Sequence, residues 1–332
     1  MSTSWTFVAA IPPTLGHADM ISFANHLRPG AKVIFVTRPN EPFSKERYDS
    51  LVEHFAGTGV QFLRVQVESE TDEGNEFWAE KLLALGFAKG DVLVSSEHWG
   101  WDLAERLGAD FFPYDEGRFI RFTKGTQVRS DLVANWEWIL PEFQQRLQKR
   151  VVIFGAESVG KSTLTGLLRR SHRHATETFE YARPLLTANP ELDVAAMTRI
   201  WEGQKALQQT AIRMLAHPRV VFHDTDLFST LGYWEFWKPD EVPEELAADA
   251  MASAADLYIL LPSNIPFEAD PIRYGGTKRE QSDDYWESVL QKYNLPYMKV
   301  ESADMLSRAV EVNTRLQELL PTTIDFVRKG NS

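Results

Sequence analysis

The sequence predicts an α/β protein made of two consecutive domains, each built on a parallel sheet. The chain has 332 residues, about two domains at roughly 150 residues each. Short apolar runs alternate with amphipathic stretches along its length, the pattern of parallel βαβ units. The alternation breaks once, near residue 148, where a stretch rich in Gln, Glu and Trp gives way to a new strand. The expected domains are 1–148 and 149–332.

The first domain opens with a strand over Trp5–Ile11. Further strands are expected at Lys32–Thr37, Val60–Val67, Asp91–Ser95 and Asp110–Pro113. Helices fall between them, near His17–Leu27, Ser44–Phe55, Glu76–Leu85 and Trp99–Leu107; Met20, Ala24 and Leu27 have the spacing of a half-buried helix. Asn135–Gln148 reads as one further helix. The second domain restarts at Val151–Phe154 and continues with strands at Ala175–Phe179, Arg219–Asp224, Asp256–Leu261 and Tyr297–Val300, again with helices between. A last helix is expected at Ala303–Leu320, and a frayed tail at Arg328–Ser332.

Composition narrows the chemistry. Asp and Glu number 47 against 35 Lys and Arg, a formal net charge of −12. A surface of that sign repels phosphate backbones and anionic lipid, so neither nucleic acid nor a membrane is expected as partner. A local basic pocket for a small phosphate ligand remains open, and a homo-oligomer is compatible with the composition. Cysteine is absent, which excludes thiol catalysis, disulfides and thiolate-ligated metals. No basic-then-apolar leader precedes the first strand, and no apolar run approaches the ~18 residues of a membrane span. A cytoplasmic protein is expected.

Gly155-Ala-Glu157-Ser158-Val-Gly160-Lys161-Ser162 fits the phosphate-loop pattern G-x-x-x-x-G-K-[ST], with Thr163 next in the helix that follows. Glycines let the backbone curl so that successive N–H groups face an anion, and the helix start turns its positive end to the same place. Lys161 would reach the β and γ phosphates of ATP, and the Ser162 hydroxyl would ligate Mg²⁺. Asp224-Thr-Asp226 closes the third strand of this half, where a carboxylate can hold Mg²⁺ or accept a hydroxyl proton. An Asp at such a junction can equally cap the next helix, and the two may divide these roles. Arg273 and Arg279 lie in a Gly-containing basic loop after the fourth strand and could fold over a triphosphate as a lid. Acceptor-site candidates after the second strand are Glu177, Glu180, Tyr181 and Arg183. Tyr233 and Trp234 sit in an aromatic-rich stretch (Trp201–Trp237) whose rings could stack on a cationic heterocycle or simply form core.

In the first half, Pro12-Pro-Thr14-Leu-Gly16-His17 ends the first strand and opens the first helix. T-x-G-H at this place resembles the nucleotidylyltransferase signature, in which the His faces the ATP phosphates and Gly permits close backbone approach. Lys124-Gly125-Thr126-Gln-Val-Arg129 resembles the S-G-T-x-I-R motif of the same superfamily. Between them, Ser95–Gly100, containing Ser96 and Trp99, ends the fourth strand, where open α/β sheets bind ligands.

Taken together these motifs resemble the NadR-type bifunctional enzymes, over nearly the whole chain and in the same domain order. The resemblance implies a Rossmann-like nucleotidylyltransferase domain followed by a P-loop kinase domain. It implies ribosylnicotinamide kinase and nicotinamide mononucleotide (NMN) adenylyltransferase activities, with nicotinamide riboside, NMN and NAD as ligands and ATP with Mg²⁺ as co-substrate. Some members begin with a helix-turn-helix domain; this chain opens on the first strand, so no such domain is expected. The superfamily pattern also places Gly and Phe where this chain has Val8 and Ala10. The alternative is a riboside or other nucleoside kinase whose first half is a degenerate, ligand-sensing module.

Overall fold

The computed structural model describes residues 2–68, 73–121, 124–188, 191–214, 217–266 and 282–321. Contacts divide them into two compact units, one running to Arg146 and the other covering Leu147–Leu320. Arg273, Arg279 and the tail at 328–332 lie outside the described residues.

The first unit holds β1 (Ser4–Val8), β2 (Lys32–Thr37), β3 (Gln61–Gln66), β4 (Val92–Ser95) and β5 (Asp110–Pro113), with α1 (Leu15–Leu27), α2 (Ser44–His54), α3 (Asn75–Ala84), α4 (Trp99–Leu107), α5 (Gly125–Ser130) and α6 (Pro141–Leu147). The sheet is parallel, in the order β3-β2-β1-β4-β5. The chain builds outward from β1 to β3 and then returns to the other side of β1, so the loops after β1 and β4 diverge and leave a crevice at their carboxyl ends.

The second unit holds β6 (Lys149–Phe154), β7 (Ala175–Thr178), β8 (Val220–Asp224), β9 (Leu257–Leu260) and β10 (Tyr297–Lys299). Its helices are α7 (Lys161–Ser171), α8 (Ala182–Ala188), α9 (Val194–Ala211), α10 (Leu227–Trp237), α11 (Glu244–Ala252), α12 (Asp283–Lys292) and α13 (Met305–Leu319). The order is β10-β9-β6-β8-β7, again parallel. Here too the first strand of the unit, β6, lies at the centre, with the phosphate loop at its carboxyl end.

The central strands are covered on both faces, which is why they read as unbroken apolar runs. Val33, Ile34 and Phe35 in β2 and Val151–Phe154 in β6 are all fully buried. Asp91, at the start of β4, is itself buried and ties the edge of the first core together. Its carboxylate accepts from the Trp5 indole N–H at 2.9 Å and from the Thr3 and Ala88 N–H groups at 2.7 and 3.1 Å. No helix among the described residues is long and apolar enough to cross a membrane.

Two local expectations are corrected. The first strand ends at Val8, because Ala10 turns into the left-handed region at φ +49°. The single helix over Asn135–Gln148 is instead a one-turn 3₁₀ segment, Trp136–Trp138, and α6. Pro141 disfavours helical backbone at the residue before it, and the intervening Ile139 is extended and bridges Thr14. The Gly125–Arg129 motif lies on a short helix, α5.

Candidate functional site

In the first unit, a cavity of about 760 Å³ opens at the carboxyl ends of β1 and β4. Thr14, Gly16 and His17 reach it from the start of α1, Ser96 and Trp99 from the connection after β4, and Gly125, Thr126 and Arg129 from α5. All eight residues singled out in this half therefore meet in one place, although they come from three separated stretches of sequence.

His17 is the best-defined group there. The Thr14 backbone N–H donates to its Nδ1 at 3.1 Å, and Thr14 Oγ1 lies 2.7 Å from the same nitrogen. Since a backbone amide can only donate, Nδ1 is the acceptor and the ring proton belongs on Nε2. Burial, reinforced by the positive charges of Arg118 and Arg129, lowers the imidazole pKa from 6.5 to about 4. His17 is thus a neutral N–H donor at neutral pH, in a positive field that suits a phosphate anion. Arg129 is steered by its own bond to the Ile11 carbonyl at 2.5 Å, and Arg118 by Glu97 Oε1 at 2.7 Å.

Sequence reasoning missed Arg38 and Arg118, which also line this cavity. Arg38 directly follows β2, so the rule that ligands collect at strand carboxyl ends could have found it. Arg118 had no such signal, because only the tertiary fold brings its loop beside His17. Val8 and Ala10 line the cavity as well.

In the second unit the phosphate loop has the backbone its motif demands. Gly155, Ser158 and Gly160 have φ of +132°, +55° and +88°. A Cβ at Gly155 would stand 2.9 Å from the Leu261 carbonyl oxygen, and one at Gly160 only 2.5 Å from Met305 Cε. Gly155 is therefore required for close approach to backbone as well as for conformation, and Gly160 for its conformation, since the Met305 methyl is the movable end of a side chain. Lys161, the first residue of α7, is buried and donates to the Gly155 and Ala156 carbonyls at 3.1 and 2.8 Å. Thr163 is exposed in the first turn.

The two aspartates after β8 divide their roles. Burial and the nearby Glu180 carboxylate raise the Asp224 pKa, while Lys161, a hydrogen bond from Ser162 and Arg183 lower it. Asp224 is therefore gathered with the phosphate-loop cation and hydroxyl. Its Oδ1 is buried with no hydrogen-bond partner among the described residues. A hard oxygen acceptor left open beside a serine hydroxyl fits Mg²⁺, which takes one or two protein oxygens and completes its shell with phosphate and water.

Asp226 instead caps α10. It accepts from Ser229 N at 2.9 Å and from the Tyr258 hydroxyl at 2.8 Å. Burial raises its pKa to about 6 against these hydrogen bonds. Both its oxygens are engaged within the protein, which corrects the expectation that Asp226 acts on the acceptor.

A second cavity lies beside the phosphate loop. Glu157, Glu180, Arg183, Tyr233 and Trp237 line it, with apolar walls from Leu186, Met197 and Ile200. Glu180 and Arg183 pair at 3.5 Å. The rings of Tyr233 and Trp237 stack with centroids 5.0 Å apart. That spacing leaves no room for a ring between them, so a flat ligand would lie against an outer face.

Trp234 does not join them: it is fully buried in the core of the unit, which corrects its expected place in the acceptor site. Tyr181 is not among the residues that line the cavity. Its N–H donates to Gln204 Oε1 at 3.1 Å, and its ring rests on Gly203, where a Cβ would come within 1.9 Å of it. Gln204 and Thr225, which line the cavity, were missed. A glycine inside a helix such as α9 signals this kind of close packing.

Residues 150–308 match the family model described as AAA domain. Over 252 residues, 74% of this chain, the sequence is 27% identical to the trifunctional NAD biosynthesis/regulator protein NadR of Escherichia coli (strain K12). The chain spans 60% of the length of that curated relative. A crystal structure of NadR protein in complex with NR shares the fold with a TM-score of 0.60 at 20% identity, covering 96% of each chain. A second, of NadR protein in complex with NAD and AMP-PNP, gives 0.58 at 19% identity with the same coverage. The C-terminal half carries the phosphate-loop motif within the stretch that matches the AAA domain model, and the chain is NadR-like in sequence over 74% of its length and in fold over 96%.

Proposed function

We propose that the protein is a bifunctional NAD salvage enzyme. The second unit transfers the γ-phosphoryl group of ATP to the ribose 5′-hydroxyl of nicotinamide riboside. The first unit then lets the phosphate of the resulting NMN attack the α-phosphorus of a second ATP, giving NAD and pyrophosphate. The observation that carries the reading is the second cavity: Glu157 of the phosphate loop lines it together with Glu180, Arg183 and the stacked rings of Tyr233 and Trp237, which offer a face to a cationic ring.

The division of labour follows from placement. Lys161 meets the β and γ phosphates and stabilises the charge that builds up there. Ser162 and Asp224 would hold Mg²⁺, which would supply positive charge to offset that of the ATP phosphates. Glu180 lines the acceptor cavity and is the carboxylate that orients the 5′-hydroxyl and takes its proton, and Arg183, which lines the same cavity, pairs with it. In the first unit His17 donates from Nε2 to the ATP phosphates, with Arg129 and Arg118 supplying positive charge. Thr14, Gly16, Gly125 and Thr126 shape the phosphate contact, and Ser96 and Trp99 face the pyridine nucleotide. Arg273 and Arg279 remain assigned to a lid over the kinase triphosphate.

The test is to incubate the protein with nicotinamide riboside, Mg²⁺ and ATP and identify products by mass. NMN followed by NAD is expected. NMN without NAD would leave a kinase with a ligand-sensing first half. Turnover of other nucleosides but not of the riboside would refute the substrate assignment.

The aromatic wall gives a finer check. A cation over an aromatic face is worth roughly 0.5–2 kcal/mol. Tyr233→Leu or Trp237→Leu is therefore expected to raise the riboside KM by roughly 2- to 30-fold. Trp234→Leu should lower the melting temperature and leave KM unchanged. The opposite pattern would return Trp234 to the site and Tyr233 and Trp237 to the core.

A further inference from the structure

Arg308 approaches the phosphate loop from behind. It lies on the first turn of α13 and is fully buried. Its guanidinium donates from Nη1 to the Val159 carbonyl at 2.5 Å, from Nη2 to the Pro262 carbonyl at 3.1 Å and to Asn264 Oδ1 at 2.5 Å, and from Nε to the Ser302 carbonyl at 2.8 Å. One side chain thus joins three connections: the phosphate loop, the segment after β9 and the segment before α13. Burying a guanidinium is unfavourable unless its fork of donors is well satisfied, and here each of its three nitrogens has an acceptor.

The contact with Val159 has a directional consequence. In a planar trans peptide the C=O and N–H point in opposite directions. Drawing the Val159 carbonyl toward α13 turns the Gly160 N–H to the other side of the loop, away from α13. Gly160 permits this geometry. Its φ of +88° disfavours other residues, and a Cβ at Gly160 would stand 2.5 Å from Met305 Cε and 3.7 Å from Arg308 Nη1, both on the first turn of α13.

We propose that Arg308 is a positioning residue for nucleotide binding: acting through Val159, it holds the Gly160 N–H in the orientation that receives an ATP phosphate. This rests on the reading of the second unit as an ATP-dependent phosphotransferase. Arg308 touches no substrate itself.

The experiment is calorimetric titration of the full chain with Mg·ATP, comparing wild type, Arg308→Met and Arg308→Lys, with riboside KM and kcat measured alongside. A misdirected donor to a charged group is worth about 1.5–3 kcal/mol. The Mg·ATP Kd of Arg308→Met should therefore rise roughly 10- to 100-fold, with the riboside KM within about threefold of wild type. Arg308→Lys, which keeps the charge but not the fork, should fold and fall between the two.

If Arg308→Met does not fold, Arg308→Lys decides. Wild-type Mg·ATP affinity in folded Arg308→Lys would overturn the proposal. So would equal losses for ATP and riboside, which would mean general loosening. A wild-type protein that binds Mg·ATP but leaves the riboside untouched would refute the substrate assignment, and the titrations would still judge Arg308.

Discussion

Lys161→Ala is expected to lower riboside phosphorylation by about two orders of magnitude or more in a protein that remains folded. The Nζ is held over the phosphate loop by two carbonyls, 3.1 and 2.8 Å away, and ATP phosphates would offer it stronger, charged acceptors in their place. Removing a single preorganised donor to developing charge typically lowers the rate ~10²–10³-fold, and Lys161 contributes a full charge as well as a donor. A second effect has the same sign. Lys161 lowers the Asp224 pKa, against burial and Glu180, which raise it. Without the lysine, Asp224 holds its proton to higher pH, so the carboxylate offered to Mg²⁺ is lost at higher pH. The residual activity of the variant should therefore show an acidic limb displaced upward relative to wild type. Product analysis by mass and a melting curve as the folding control check both points. Wild-type-like phosphorylation by a folded variant would falsify the assignment of this loop to ATP.

What the sequence revealed and what it concealed follow from how local each feature is. Both sheets were legible because their central strands are buried on two faces and appear as continuous apolar runs, as at Val151–Phe154. The phosphate loop was legible because its requirements fall on eight consecutive residues. The same locality explains why Thr14–His17 was recognisable.

Misreadings occurred where tertiary contacts decide. Asp224 and Asp226 are two residues apart on similar backbone, and only the placement of Ser162, Ser229 and Tyr258 separates a ligand-facing carboxylate from a helix cap. The α10 run from Leu227 to Leu231 is apolar or small and buried throughout, so periodicity could not mark the face on which Tyr233 and Trp237, four residues apart, look into the cavity. Arg118 and Gln204 lie in no motif; each acquires its place from a loop or helix packed against a distant strand end. The helix expected over Asn135–Gln148 failed for a local reason that was visible, the proline at position 141.

His17→Ala is expected to stop NAD formation and leave riboside phosphorylation intact, so that NMN accumulates. The two loops lie on different units, each with its own central strand, turn and helix start, and each should make a separate ATP site. Loss of the His17 donor is expected to lower adenylylation by ~10²–10³-fold. Lys161→Ala should do the reverse: little use of riboside, normal conversion of supplied NMN.

The protonation state sharpens the test. With its folded pKa at about 4, below the ordinary 6.5, His17 is neutral throughout the neutral range. The wild-type adenylylation profile should then show no inflection near 6.5 that disappears in His17→Ala. The sign for stability runs the same way. Between the two pKa values the unfolded chain binds the proton and the folded chain does not, so His17 makes the first unit lose stability as pH falls from 6.5 toward 4. His17→Ala should flatten that part of the stability curve. An inflection near 6.5 that vanishes with His17 would mean the imidazole acts as a titrating acid or base rather than as a fixed neutral donor. Loss of both reactions from either single substitution in a folded protein would mean the two sites are coupled, and the two-site assignment would be wrong.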